Sequence, residues 1–364
     1  MKLVIRTLIL LGCVLLGACT AVDRRVLDDL GLVLMAGYDR IGSDKLQITV
    51  TLPGMIPEGR FSPQLLTVVA RSEKNARKQL SYLSGKRVEA GQLKVILFGE
   101  KTARRGIKDI VDPLYRDPSI GSMMFVGVVK GKAADALKAD VRDKQGAGLY
   151  TYNVLHQEER VQGTTRFRLS SVIRDLKTPG RAVAVPYMIV EKQGIKLSGL
   201  ALFSDSKMSG RLPAELVPSY MMLDGVNYRD HLNMVLDKKT KITLSFVKNS
   251  RIRSVSYNPQ TKKLTLHIKA KVKGQVLEYE GVQVKTRKQL RNLEEKVARH
   301  LEQQGEETMR ILQKANSDAL GLGNYVQAKN VYSSYSPKWW QAQYPHIKVN
   351  VEMEVKLTRL GLLR

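Results

Sequence analysis

The sequence predicts an α+β protein of mixed α/β character. It is organised as two to three consecutive domains, each a mainly antiparallel or mixed β-sheet flanked by helices. Three observations predict it. From residue 31 to about residue 203, short apolar runs of strand length alternate with helical stretches, the pattern of layered sheet-and-helix domains. From Lys239 onward the texture changes to two long period-two runs, one long amphipathic helix and a last alternating strand. The chain has 364 residues, 43% apolar and only 6% aromatic, which is enough to bury a sizeable core in more than one domain.

In order along the chain, Gly31–Tyr38 reads as a buried strand, and Leu46, Ile48, Val50 and Leu52 alternate as a half-exposed one. Pro53, Gly54, Pro57 and Gly59 mark a loop. Leu65–Arg71 is a strand leading into a helix that starts near Ser72 and carries Ala76, Leu80 and Leu83 on one face. Leu93–Phe98 is a strand followed by a helix near Thr102–Tyr115. Met123–Val129 is a strand followed by a short helix at Ala133–Leu137. Gly146–Leu176 is mainly helical, and Val183–Glu191 and Lys196–Phe203 form a strand pair.

Ser204–Pro213 is a polar change of texture, and Pro213–Leu223 a short helix. Ile242, Leu244 and Phe246 open one long strand running to Val255, and Leu264 to Val272 form the next. Asn258-Pro259-Gln260-Thr261 is the turn between them. A helix over about Lys285–Leu320 has an apolar stripe interrupted near Gly305, and Ile347–Leu357 closes the chain as a strand. The domain reading is a lipoprotein signal peptide at 1–18, a tether at 19–30 and an N-terminal α/β region at 31–203, divisible into 31–140 and 141–203. A C-terminal α+β domain follows at 204–364.

The N-terminus carries the most specific chemistry. Lys2 and Arg6 precede an apolar run from Leu8 to Leu16, an export signal shorter than the ~20 residues of a membrane span. Leu16-Gly17-Ala18-Cys19 resembles the bacterial lipobox, in which cleavage before the cysteine follows attachment of a diacylglycerol to its sulfur. A thiol at that position is required because a thioether is the anchor. Cys19 is therefore the lipid-attachment residue, carrying S-diacylglycerol and an N-acyl group, and two or more chains make a stable anchor. Cys13, the other cysteine, lies in the leader, so disulfide frameworks, thiolate zinc sites and redox pairs are excluded from the folded body.

The remaining motifs carry no catalytic signature. Leu320-Gly321-Leu322-Gly323 lacks the third glycine of a nucleotide loop and follows a helix, so it reads as a helix stop. The five histidines are scattered, without metal-ligand spacing. No catalytic residue, cofactor or metal ligand is expected, and the chain is not expected to be an enzyme. Sixty Lys and Arg against 34 Asp and Glu give a formal charge of +26. In an exported chain this points away from nucleic acid and toward anionic lipid headgroups or wall polymers, or else to a solubilising basic surface. Tyr332, Tyr335, Trp339, Trp340 and Tyr344 crowd one stretch, either as an interface platform or as the cap of a core.

Along the mature chain these residues resemble the Ger(x)C family, the lipoprotein C subunits of bacterial spore germinant receptors. The resemblance starts with Cys19, Asp23-Arg24-Arg25 and Asp29–Leu34, and continues through Thr67–Ala70 and Lys94–Glu100. It runs on through Gly199–Phe203 with Lys207, Gly210 and Leu212, then Asp318–Gly323 and Val349–Gly361. One departure is that Thr20-Ala21-Val22 stands where members usually carry Trp directly after the lipid cysteine.

The resemblance implies a non-catalytic, lipid-anchored subunit at the outer face of the spore inner membrane. It would work with integral-membrane A and B subunits and be required for receptor assembly or signalling. It also implies a fold of three α/β-type domains, and it carries over no germinant pocket. A solute-binding lipoprotein feeding a transporter is the alternative, for which two similar lobes and a hinge would be expected.

Overall fold

The computed structural model describes residues 29–54, 63–141, 146–162, 166–192, 194–261 and 263–358. The N-terminal lobe is built on strands β1 (Leu30–Leu32), β2 (Met35–Ile41), β3 (Lys45–Leu52), β4 (Gln64–Ala70), β5 (Arg87–Glu89), β6 (Val95–Gly99), β7 (Phe125–Val129), β8 (Ala184–Glu191), β9 (Gly194–Ser204) and β10 (Lys207–Pro213). Eight of them form one mixed sheet in the order β10-β9-β8-β7-β6-β2-β3-β4, while β1 pairs with β5 separately. The centre, β8-β7-β6-β2, is parallel and both flanks are antiparallel.

Burial explains the sequence of the centre. Val95 and Leu97 face one apolar layer and Ile96 and Phe98 the other, so β6 is apolar at every position, as a strand covered on both sides must be. One face is covered by α1 (Glu73–Ser84), α2 (Glu100–Arg105), α3 (Lys108–Arg116) and α6 (Leu169–Lys177). The other is covered by α4 (Ala133–Leu137), α5 (Gly146–Gln162) and the C-terminal lobe.

That lobe opens with α7 (Val217–Asp224), buried at every residue. It continues as a sheet of β11 (His231–Asp237), β12 (Thr240–Asn258), β13 (Lys263–Glu280) and β14 (Lys348–Thr358), in chain order. Helix α8 (Arg287–Lys314) crosses from β13 to β14, which therefore pair in parallel, a geometry that demands a long connection. Glu302 and Glu294 on α8 accept backbone N–H bonds from Met353 and Leu357 at 2.9 Å each. Two short helices, α9 (Leu322–Lys329) and α10 (Pro337–Gln343), complete the lobe. One apolar core runs from Met35 through α7 to Leu357.

The mixed sheet-and-helix class matches the expectation, and individual elements differ from it. The expected strand Gly31–Tyr38 is two strands in different sheets, because the Leu34 carbonyl between them accepts from Lys94 and Val95. The helix near 102–115 is split at Gly106, whose φ of +124° no helix accommodates. Ser204–Pro213, a polar change of texture, is the hairpin partner of β9, with Asp205 turning at φ +56°. It is an edge strand, so its polar residues face water and its proline is tolerated. Helix α8 ends at Lys314, short of the expected Leu320, and Gly305 is buried within it. Strand β11 is a further addition, in which Leu232, Met234 and Leu236 alternate toward the core and the residues between them are exposed.

Candidate functional site

Cys19 and the lipobox lie outside the described residues. Within them, polar chemistry converges at two places.

The first is the carboxyl edge of the parallel strands, where open sheets of this kind leave room for ligands. Asp39, near the end of β2, accepts the Ala133 and Ala134 N–H groups at 2.8 and 2.9 Å and so caps α4. Burial pushes its carboxyl above the usual range, outweighing those two bonds. Gly99 closes β6 against this carboxylate. The next residue, Glu100, accepts the Tyr187 hydroxyl at 2.6 Å and Arg104 at 2.7 Å. Burial raises the Glu100 carboxyl, but those hydrogen bonds win and hold it below the usual range. The Gly99-Glu100 pair is thus a joint binding β2, β6, α2, α4 and β8 together.

Beside this joint opens a cleft of about 900 Å³, lined by the β2–β3 turn, the start of α1 and helix α3. Arg40 reaches across it to both oxygens of Asp109 at 2.6 and 2.5 Å and to the Gly106 carbonyl at 3.2 Å. Arg71 pairs with Asp44 at 3.2 Å, and Arg77 joins Glu73 at 2.7 Å to Asp117 at 3.0 Å. Lys74, Asp112 and Arg116 line the remainder. In this cleft cations and carboxylates share one volume and are largely paired with one another.

The second place is the seam between the lobes. The fully buried Asp318 carboxylate accepts the Leu322 and Gly323 N–H groups at 2.8 and 2.7 Å and the Trp340 indole N–H at 3.0 Å. Gly321-Leu322-Gly323 is therefore a helix start and not the expected helix stop. An internal carboxylate holds the amides that a phosphate would take at such an end. A Cβ at position 323 would stand 2.4 Å from the Trp340 indole nitrogen, which is why the motif needs glycine there. Its backbone stitches the lobes: Ala182 donates to the Asp318 carbonyl at 2.9 Å, and Asn324 to the Gly180 carbonyl at 3.0 Å. A pocket of about 300 Å³ opens here, lined by Arg181, Asp318, Trp340 and Tyr344 among others.

The aromatic cluster is the cap of a core. Trp340 and Tyr344 are buried, and Tyr332 stacks on Trp339 at 4.4 Å between ring centres.

Burial pushes the Asp318 carboxyl up to about 6, against its three donors. The folded chain then keeps a proton that the unfolded chain releases near the ordinary aspartate value of about 3.9. Asp318 therefore contributes most stability below that value, and the contribution is lost as pH rises to about 6. The stability of wild type relative to Asp318→Asn is expected to fall between pH 4 and 6 by on the order of 2–3 kcal/mol and to stay level above. Denaturant titrations at fixed pH check this, and a difference that grows with pH contradicts it.

The histidines stand on five elements: α5, β11, β13, α8 and the turn before β14. No group of three or more His, Cys, Asp or Glu that could hold a metal ion occurs among the described residues. None of their helices is long and apolar enough to cross a membrane. The basic clusters separate by geometry. Arg251 and Arg253 are half-buried toward the seam, whereas Lys263, Lys271 and Lys273 are exposed on the open face of the C-terminal sheet. Residues Lys238–Lys241 and Lys285–Arg291, distant in sequence, meet at one end of that sheet.

Sequence reasoning missed Asp39 and the buried pairing of Asp224 with Arg166 and Arg251. A single aspartate at the end of an apolar strand was the one available signal for Asp39.

Comparison with known proteins covers most of the chain. Residues 23–190 match the family model of the spore germination protein N-terminal domain. Residues 198–361 match the spore germination B3/GerAC-like C-terminal family. The spore germination protein GerQC of Bacillus cereus is 22% identical over 345 residues, covering 93% of this chain and 94% of that protein. The spore germination protein KC of Bacillus subtilis (strain 168) is 22% identical over 409 residues, covering 99% and 96%. The crystal structure of the GerBC protein shares the fold, with a TM-score of 0.56 and 18% identity over 89% of this chain and 97% of that one. With both halves matched in order, the chain belongs to the GerAC-like family of spore germination proteins.

Proposed function

We propose that this chain is a membrane-anchored, non-catalytic subunit of a spore nutrient germinant receptor, needed for receptor assembly or signalling. Its partners are integral-membrane A and B subunits, and its place is the outer face of the spore inner membrane. The observation that carries this reading is the run of family-matching segments from residue 23 to residue 361, preceded by the lipobox ending at Cys19. Among the described residues the two polar centres join elements of the fold to one another, through Arg40 and Asp109 at the cleft and through Asp318 with its amide and indole donors at the seam.

The test is Cys19→Ala in the spore-forming host, with inner-membrane fractions probed for the protein and germination followed nutrient by nutrient. The expected result is loss of membrane retention together with loss of response to one nutrient class. Normal fractionation with normal germination to every nutrient contradicts both the anchor and the receptor role.

A further inference from the structure

We infer that the end of the C-terminal lobe formed by the β11–β12 turn, the loop after β13 and the first turns of α8 docks onto an anionic lipid bilayer. This rests on the membrane-anchored reading and names the surface that meets the membrane. Two contacts bring the segments together. Lys241 faces Glu280 in register, its Nζ 3.0 Å from the carboxylate. Lys296 on α8 reaches Asp237, just before the turn, at 2.7 Å.

Those contacts occupy Asp237 and Glu280, and Glu278 accepts the Thr243 hydroxyl at 3.2 Å. Six exposed basic residues remain at this end: Lys238, Lys239, Lys285, Arg287, Lys288 and Arg291. Among the described residues none of the six has a carboxylate partner.

Two further features separate this end from the other basic surfaces. The first turn of α8 is basic and holds no acidic residue, so its cations oppose the helix dipole. A nearby anion relieves both the dipole and the crowded charge. At the crest of the loop Val282 is 75% exposed, and Val235 on the adjacent edge is 63% exposed. The Tyr279 hydroxyl donates to the Val282 carbonyl at 2.9 Å and holds the loop in this shape.

Exposed cations and exposed apolar side chains at one end match the headgroup layer of a bilayer, with phosphates for the one and the acyl boundary for the other. A soluble acidic partner satisfies only the charge. On the open sheet face, by contrast, Lys269 and Lys271 are already paired with Glu352 and Glu354.

The test uses residues 20–364, which lack the lipid cysteine and keep every described element, in co-sedimentation with vesicles. Binding to vesicles of equal phosphatidylglycerol and phosphatidylcholine is expected to exceed binding to pure phosphatidylcholine by more than about tenfold, and to weaken with salt. The combined Lys285→Glu, Lys288→Glu, Arg291→Glu variant is expected to lose at least about tenfold in binding, because near-surface cations supply the attraction to anionic lipid. Val282→Asp is expected to weaken binding too. A control reversal on the open face (Lys263→Glu, Lys273→Glu, Lys348→Glu) should lose less than about threefold. Thermal unfolding of each variant confirms that the fold is kept.

Equal binding to both vesicle types, or equal losses from the two triple variants, overturns the proposal. Cys19-dependent membrane fractionation is a separate readout. If it persists while the vesicle test fails, the anchored reading stands and this surface does not.

Discussion

Asp224→Ala is expected to destabilise the folded chain by about 3–5 kcal/mol, the usual cost of stripping one partner from a buried ion pair. The Asp224 side chain is fully buried at the end of α7, held by Arg166 from the N-terminal lobe and by Arg251 from β12 at 3.2 Å. Arg251 also donates to the Leu223 carbonyl at 3.1 Å. Burial, followed by the neighbouring Arg253, lowers the Arg251 guanidinium to about 10, and Asp224 is the carboxylate opposing that shift. Remove it, and two guanidinium groups remain in the seam without their shared counter-charge. Asp224→Asn keeps the shape and should cost less. Urea unfolding of the three chains measures the effect, and a loss under about 1 kcal/mol for the alanine variant refutes the assigned role.

Gly99→Ala is expected to cost about 3 kcal/mol or more, through sterics and lost hydrogen bonds together. The backbone at Gly99 (φ −61°, ψ 146°) suits any residue, so conformational freedom is not the issue. The added Cβ would stand 2.1 Å from Asp39 Oδ1 and 2.9 Å from the Gly131 carbonyl. Asp39 cannot swing away without releasing the two amides it caps at the start of α4. This gives a sharper test than the single variant. Asp39→Ala alone strands those amides, but it also vacates the space the new methyl needs. The double variant should therefore cost clearly less than the sum of the singles, a coupling that distant sites lack. Additive losses would show that the carboxylate is not what excludes the side chain.

Both sites show why some of this molecule was readable from its sequence and some was not. The turn at Asn258 was readable because its cause is local: the Asn258 side chain accepts the Gln260 and Thr261 N–H groups at 2.9 and 3.1 Å. The start of α8 was readable for the same reason, with Thr286 and Gln289 capping each other. Strand β13 alternates buried and exposed residues over most of its length, a period visible without its neighbours.

Asp39, Gly99 and Ala133 are a different case. They meet only because β2 and β6 pair in parallel and α4 returns across their ends. No spacing in the sequence encodes that distance. Asp224 lies 58 residues from Arg166 and 27 from Arg251 by number, and only the packing of α7 between the lobes makes them one group.

The sequence by itself determined the sheet-and-helix class, the strand and helix periods, and the family, whose motifs recur in order along the chain. The tertiary structure decided the eight-strand order, the cleft at the carboxyl edge, and the seam carboxylates. It also decided the meeting of Lys238–Lys241 with Lys285–Arg291 at one end. The division follows from range: hydrophobic period, caps and turns act within a few residues, whereas a buried charge or a docking surface is made of groups that share space only after the strands have chosen their neighbours.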